Sequence, residues 1–151
     1  MFVDPIIMQF PENLDSENFV IATYYCATKP TTNMVKFAAA LAIEQSRLTI
    51  DSMARQAQNN ILSAFALLEK FDDDRFAALQ EDEEAIDHYE DKLGTYLIKI
   101  TSKELTPRQT ADVSKYLHTI SDLERISDHS LNIGETAQEL YTKQIVFSPA
   151  G

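Results

Sequence analysis

The sequence predicts an all-α fold, an elongated antiparallel three-helix bundle. Three observations carry this expectation. Alanine, leucine, glutamate, glutamine and lysine, all of which favour helix, dominate residues 34–101, and the 151-residue chain holds only three glycines and five prolines. Apolar residues recur at helical spacing through three long stretches. The two breaks between these stretches are short and rich in helix-starting residues, which makes consecutive helices antiparallel neighbours.

The chain divides into an N-terminal segment (1–30), the bundle (31–143) and a C-terminal linker or tail (144–151). Pro5, Pro11 and Pro30 punctuate the first segment. Within it, Asp15 to Lys29 fits a short helix lying across the bundle, with Asp15 as cap and Phe19, Ala22 and Tyr25 on one face. The run from Phe19 to Tyr25 fits an extended strand as well.

The first bundle helix is expected from about Asn33 to Lys70, capped by Thr31, Thr32 or Asn33. Its inward stripe reads Phe37, Leu41, Leu48, Ile61, Phe65 and Leu68, with Ala38, Ala54, Ala57 and Ala64 as small neighbours. Such a helix is about 57 Å long at 1.5 Å per residue. Asp72-Asp73-Asp74 then ends it and starts the next, since acids favour a helix N-terminus through capping and the helix dipole. The second helix, about Arg75 to Thr101, has the stripe Phe76, Leu79, Glu83, Ile86 or Asp87, Glu90, Leu93, Leu97 and Ile100. Gly94 inside it costs helix stability and suggests a close approach.

Thr106-Pro107-Arg108-Gln109 starts the third helix with a capping box and a proline at the first helical position, where its missing N–H does no harm. The expected stripe is Val113, Leu117, Ile120, Glu124, Asp128, Leu131 and Ala137, with an end near Lys143 before Pro149.

Charge and cysteine content narrow the function. The formal net charge is −11, and residues 72–91 hold ten acids against the single base Arg75. That surface repels a nucleic-acid backbone and attracts cations or basic partners. The lone Cys26 rules out an internal disulfide, which agrees with a reducing compartment. No apolar run approaches the roughly 20 residues that span a bilayer, and the N-terminus lacks the basic region of a signal peptide. A soluble, cytoplasmic domain is the expectation, either free or at the cytoplasmic face of the membrane as part of a longer membrane protein.

The acids on the inward stripes are the informative feature. Glu83 and Asp87 are four apart on the second helix, and Glu124 and Asp128 are four apart on the third, so each pair shares a helix face. With the intervening turn centred on residue 104, facing residues have numbers summing to about 208 by simple hairpin register. Glu83 with Glu124 sums to 207, and Glu83 with Asp128 and Asp87 with Glu124 sum to 211. Four carboxylates on one seam must take up protons, pair with bases or bind a cation. A hard metal ion with oxygen ligands is one answer, and a solvated or salt-bridged seam is the other. His88 and His129 follow directly after Asp87 and Asp128 and are candidates to flank the site. Neither has the Glu-x-x-His spacing of a bundle di-iron centre. There is no glycine-rich phosphate loop and no nucleophile with an assembled base, so an enzyme is not expected.

Leu123-Glu124-Arg125-Ile126-Ser127-Asp128-His129, followed by Asn132-Ile133, resembles the signature of PhoU domains, which often read Leu-Glu-Arg-Ile-Gly-Asp-His. Ser127 stands where glycine is common. Glu83-Glu84-Ala85-Ile86-Asp87 resembles the partner motif, and the likeness covers about residues 34–143. It implies a three-helix bundle that regulates phosphate uptake, or a cytoplasmic tail of a sodium-phosphate cotransporter-like protein. A tail is the closer match, since the regulators usually carry two bundles in tandem. The resemblance also implies a divalent or trivalent metal ion, such as iron, manganese or magnesium, held by Glu83, Asp87, Glu124 and Asp128. The competing readings are a metal-dependent enzyme using these carboxylates and a purely structural helical adaptor. Apolar residues on several faces of the first helix, Ile43, Leu48, Ile50 and Met53 among them, point to a homo-oligomer or to packing with the rest of a longer parent. A membrane transporter is a further expected partner, and nucleic acid is not.

Overall fold

The computed structural model describes residues 32–102 and 105–145. The expected short helix in segment 1–30 and the tail beyond residue 145 lie outside the described residues. Among those described, three helices pack together: α1 (Thr32–Glu69), α2 (Asp73–Thr101) and α3 (Pro107–Thr142). Their bounds lie within two residues of those expected from caps and periodicity.

The starts of α2 and α3 are held by the expected side chains. Asp72 accepts a 2.8 Å hydrogen bond from the backbone N–H of Arg75, with Asp73 and Asp74 in the first turn of α2. Thr106 Oγ1 accepts from Gln109 N at 3.2 Å, and Gln109 Oε1 accepts from Thr106 N at 2.9 Å, so both halves of the capping box form. The end of α3 falls at Lys143, as expected, and the backbone closes it. Gln144 turns left-handed at φ 55°, its N–H donates to Tyr141 O (3.1 Å), and Ile145 N–H donates to Leu140 O (2.9 Å). This paired closure stops the helix ahead of Pro149.

The inward face of α1 is not the stripe expected from its largest residues. Leu48, Phe65 and Leu68 are exposed, and Leu41 and Ile61 are half-buried. The side chain of Phe37 lies outside those described. Buried instead are Ala39, Ile43, Ser46, Ile50, Met53, Ala57, Asn60, Ala64 and Leu67. Their spacing alternates four and three without a break, the 3.5-residue period of a coiled-coil seam. Small and polar members hid this series, because a search for large apolar residues passes over alanine, serine and asparagine.

The other helices follow the same period. On α2 the series is Phe76, Leu79, Glu83, Ile86, Glu90, Leu93, Leu97 and Ile100, of which all but the two glutamates are buried. On α3 the buried residues are Val113, Ile120, Leu123, Ser127, Ser130, Gly134 and Ala137. Glu124 and Asp128, expected on the stripe, stand half-buried at its edge, as do Leu117 and Leu131.

Two glycines have different surroundings. A Cβ on Gly94 would meet Ile120 Cδ1 at an ordinary 3.6 Å, so the close approach expected there is absent. It occurs at Gly134, where a Cβ would lie 2.8 Å from Leu79 Cδ2 and 3.2 Å from Phe76 Cε2. α3 rests against α2 at this point because no side chain intervenes.

Candidate functional site

The apolar core is split in two. One cluster holds Ile50, Met53, Ala57, Ile86, Leu93 and Leu123, among others. The second gathers Ala64, Leu67, Phe76, Leu79 and Ala137. The core positions between them are Asn60 on α1, Glu83 on α2, and Ser127 and Ser130 on α3. A polar layer therefore crosses all three helices at one level, and the acidic seam belongs to it.

Its buried part is closed by hydrogen bonds. The Asn60 side chain is 2.9 Å from Ser127 Oγ. In the amide orientation that satisfies every group, its oxygen accepts from that hydroxyl, and its nitrogen donates to Gln56 O (3.1 Å) and Asp82 Oδ2 (3.3 Å). Gln56 Nε2 in turn donates to Asp82 Oδ1 at 3.0 Å. One asparagine thus ties α1 to both other helices. Ser130 Oγ donates to Ile126 O at 2.7 Å; outside the layer, two heptads before Asn60 on α1, the buried Ser46 Oγ donates to Ala42 O at 2.8 Å. Among the described residues no buried side-chain nitrogen or oxygen lacks a partner, so the layer is free of the large penalty an unpaired buried polar group carries.

The carboxylates lie where this layer opens toward solvent. Glu83 is held above the usual carboxylate range, first by burial, then by the charges of Asp87, Asp128, Glu124 and Glu84. The four residues expected on the seam therefore share one electrostatic neighbourhood. Glu90, one heptad after Glu83, is raised in the same way, by burial and then by Asp91, Glu124 and Asp87. The two acids that occupy core positions are Glu83 and Glu90, whereas Asp87 is exposed. Glu90 was visible in the sequence as a stripe residue. Its place beside Glu124 was not, because four-residue spacing drew attention to Asp87 and seven-residue spacing defines the seam.

The register explains the neighbours. Phe76 and Leu79 meet Gly134, and Gly94 meets Ile120, pairs whose numbers sum to 210, 213 and 214. The helices are thus offset from the value of 208 expected from the turn alone. Side chains lean toward the N-terminus of their own helix, so touching residues on antiparallel helices both lie later in sequence than the level of contact. The shift favours Glu83 with Asp128 and Asp87 with Glu124 (both 211), and it adds Glu90 with Glu124 (214).

Among the described residues, no lysine or arginine pairs with these acids. Arg125 lies 3.8 Å from Asp122 instead, and His129 Nδ1 is 4.0 Å from Asp128 Oδ2 on the exposed side. His88 points outward. The carboxylates are near neighbours but are not drawn into a cage: among the described residues no group of three or more acidic, histidine or cysteine side chains is arranged to hold a metal ion. What the arrangement provides is a patch of unneutralised charge beside a buried polar layer, at a cost in repulsion that protons or cations would relieve.

A family model described as the PhoU domain matches residues 50–137. The matched span begins inside α1 and ends inside α3, shorter at both ends than the likeness read from the motifs, and it contains the whole polar layer. No curated protein and no solved structure matches the chain.

Proposed function

The chain belongs to the PhoU domain family, and from that membership we propose that it is a non-catalytic regulatory module of a phosphate-uptake or sodium-phosphate cotransport system. The observation that carries this reading is the family match over the residues that build the polar layer. Several features support it. No described helix is long and apolar enough to cross a membrane. The buried serines are engaged, Ser127 with Asn60 and Ser130 with Ile126 O, and are not poised as nucleophiles. The −11 charge opposes direct capture of phosphate and favours a cation as the responsive ligand.

In this reading the module works at the cytoplasmic face of the membrane, beside or within a longer transporter. Glu83, Asp87, Glu124 and Asp128 receive a divalent or trivalent cation, with Glu90 adding charge beside Glu124. Their side chains are half-buried or exposed and, among the described residues, none is paired with a lysine or arginine, so they can turn inward toward an ion. Such an ion would relieve the repulsion between α2 and α3 and brace the two helices together.

Two measurements test the proposal. Adding manganese raises the unfolding midpoint of the wild-type chain, by linkage up to about 2.7 kcal/mol of stability at a hundred times the dissociation constant. The doubly substituted Glu83→Gln, Glu124→Gln chain shows little of this rise. A midpoint indifferent to manganese, iron and magnesium ends the cation part. For the regulatory part, cells whose domain is deleted keep taking up labelled phosphate when phosphate is plentiful, whereas intact cells reduce uptake. Identical uptake curves in the two strains would overturn the transport assignment.

A further inference from the structure

α3 is held unequally along its length. Up to Ser127 it supplies Val113, Ile120 and Leu123 to the larger core cluster, and Ser127 bonds to Asn60 across the bundle at 2.9 Å. Beyond the polar layer its buried residues are Gly134 and Ala137, which bring a single methyl group to the smaller cluster. Leu131, Ile133 and Leu140 are only half-buried. The large side chains of that cluster, Leu67, Phe76 and Leu79, come from α1 and α2.

Hydrogen bonding follows the same division. The hydroxyls of Ser130, Thr136 and Thr142 and the amide of Asn132 donate to the carbonyl four residues back, and Lys143 pairs with Glu139. These bonds stay within α3, and a hydroxyl bonded to the carbonyl four residues back slightly weakens a helix. Asn132, Gly134 and Thr136 are also poor helix formers. At the far end Tyr141 stacks on Phe71 of the α1–α2 turn, with ring centres 5.0 Å apart, but Tyr141 is 64% exposed. Leu67, by contrast, stays joined to Phe76 and Leu79 across the short turn that Asp72 caps.

We infer that the last third of α3, Leu131 to Thr142, is a strap that releases from the α1–α2 hairpin as one unit while the rest of the bundle stays folded. Release stops at the polar layer, because the apolar packing that would carry it further is interrupted there and Asn60 holds Ser127. It uncovers Leu67, Phe76 and Leu79, an apolar cleft that the packed strap closes. Release requires neither phosphate nor a cation, so it is independent of the function proposed above.

Amide hydrogen exchange of the 151-residue chain, resolved by NMR in urea below the unfolding transition, tests this. The amides from Gly134 to Glu139 are expected to share one urea slope, smaller than that of global unfolding but not zero. They should exchange at least about tenfold faster than those of Leu67, Leu79, Ile120 and Leu123. Ile120→Val weakens the larger cluster, which the released state keeps. It should speed exchange at Leu93, Leu97 and Leu123 by about two- to tenfold and leave Gly134 to Glu139 unchanged. Strap amides that follow the slope of global unfolding, or that speed up with Ile120→Val, overturn the inference, since α3 then opens only with the whole domain. Protection that rises turn by turn inward from Thr142, without urea dependence, is ordinary end fraying and overturns it too. An opening shared by Leu67 and Leu79 means that the whole tip of the bundle melts, and no strap exists.

Discussion

Asn60 on α1 and Ser127 on α3 are 67 positions apart in sequence and 2.9 Å apart at the buried centre of the bundle. Ser127 occupies the place where the family motif often has glycine. Here the hydroxyl is part of the architecture: it satisfies the amide oxygen of Asn60, whose nitrogen reaches Gln56 and Asp82. The bond fixes the register of α1 against α3 at the level where the apolar core is interrupted. A slip of one turn toward Leu123 would leave the asparagine facing an aliphatic side chain.

Replacing Ser127 by alanine is expected to destabilise the domain by about 1–3 kcal/mol, the cost of leaving a buried polar group unpaired. Ser127→Gly should cost about 0.5–1 kcal/mol more, from the added flexibility of glycine within a helix. Asn60→Leu with Ser127→Ala should cost less than the two single changes summed, with a coupling of about 0.5–3 kcal/mol. Urea unfolding of the four proteins measures this cycle, and strict additivity would show that the two side chains do not depend on each other.

The two helical glycines should respond in opposite directions. Gly94→Ala has room for its methyl group beside Ile120 and is expected to stabilise by about 0.5–1 kcal/mol. Gly134→Ala places its methyl group against Leu79 and Phe76, both buried, and should destabilise by about 1–3 kcal/mol through overpacking. Thermal midpoints decide the matter, and a stabilising Gly134→Ala would mean that α2 and α3 can separate there at no cost.

The acidic seam predicts a pH dependence of definite sign. Glu83 and Glu90 hold their protons more tightly in the folded state than in the unfolded chain, so stability rises as pH falls from neutral toward the ordinary glutamate range, about 4.3. Glu44 and Glu139 are lowered by hydrogen bonds from Arg47 and Lys143, and their contribution is lost only at more acid pH. The midpoint should therefore pass through a maximum in mild acid. Glu83→Gln with Glu90→Gln should raise the midpoint at neutral pH and flatten the rise below it. A wild-type midpoint that falls steadily from neutral pH downward would contradict the seam's unfavourable charge.

The sequence by itself determined the three helices, their bounds and the presence of Glu83 and Glu90 on the inward stripe of α2. These are local properties: Asp72 and Thr106 cap the helices that follow them through hydrogen bonds three residues long, and periodicity needs no partner to be read. Membership of the PhoU family was legible for a similar reason, since its motif is a contiguous run on α3. Tertiary structure alone decided which face of α1 is inside. Leu48, Phe65 and Leu68 outweigh Ser46, Asn60 and Ala64 in hydrophobicity, yet the smaller residues are buried, because close helix approach and the Asn60–Ser127 bond reward size and polarity that hydropathy ignores. It also decided that Glu90 joins the seam and that Gly134, not Gly94, marks the tight contact. The first depends on which of two spacings along α2 is turned toward α3 and the second on how α2 and α3 are offset, and neither is settled until the helices pack.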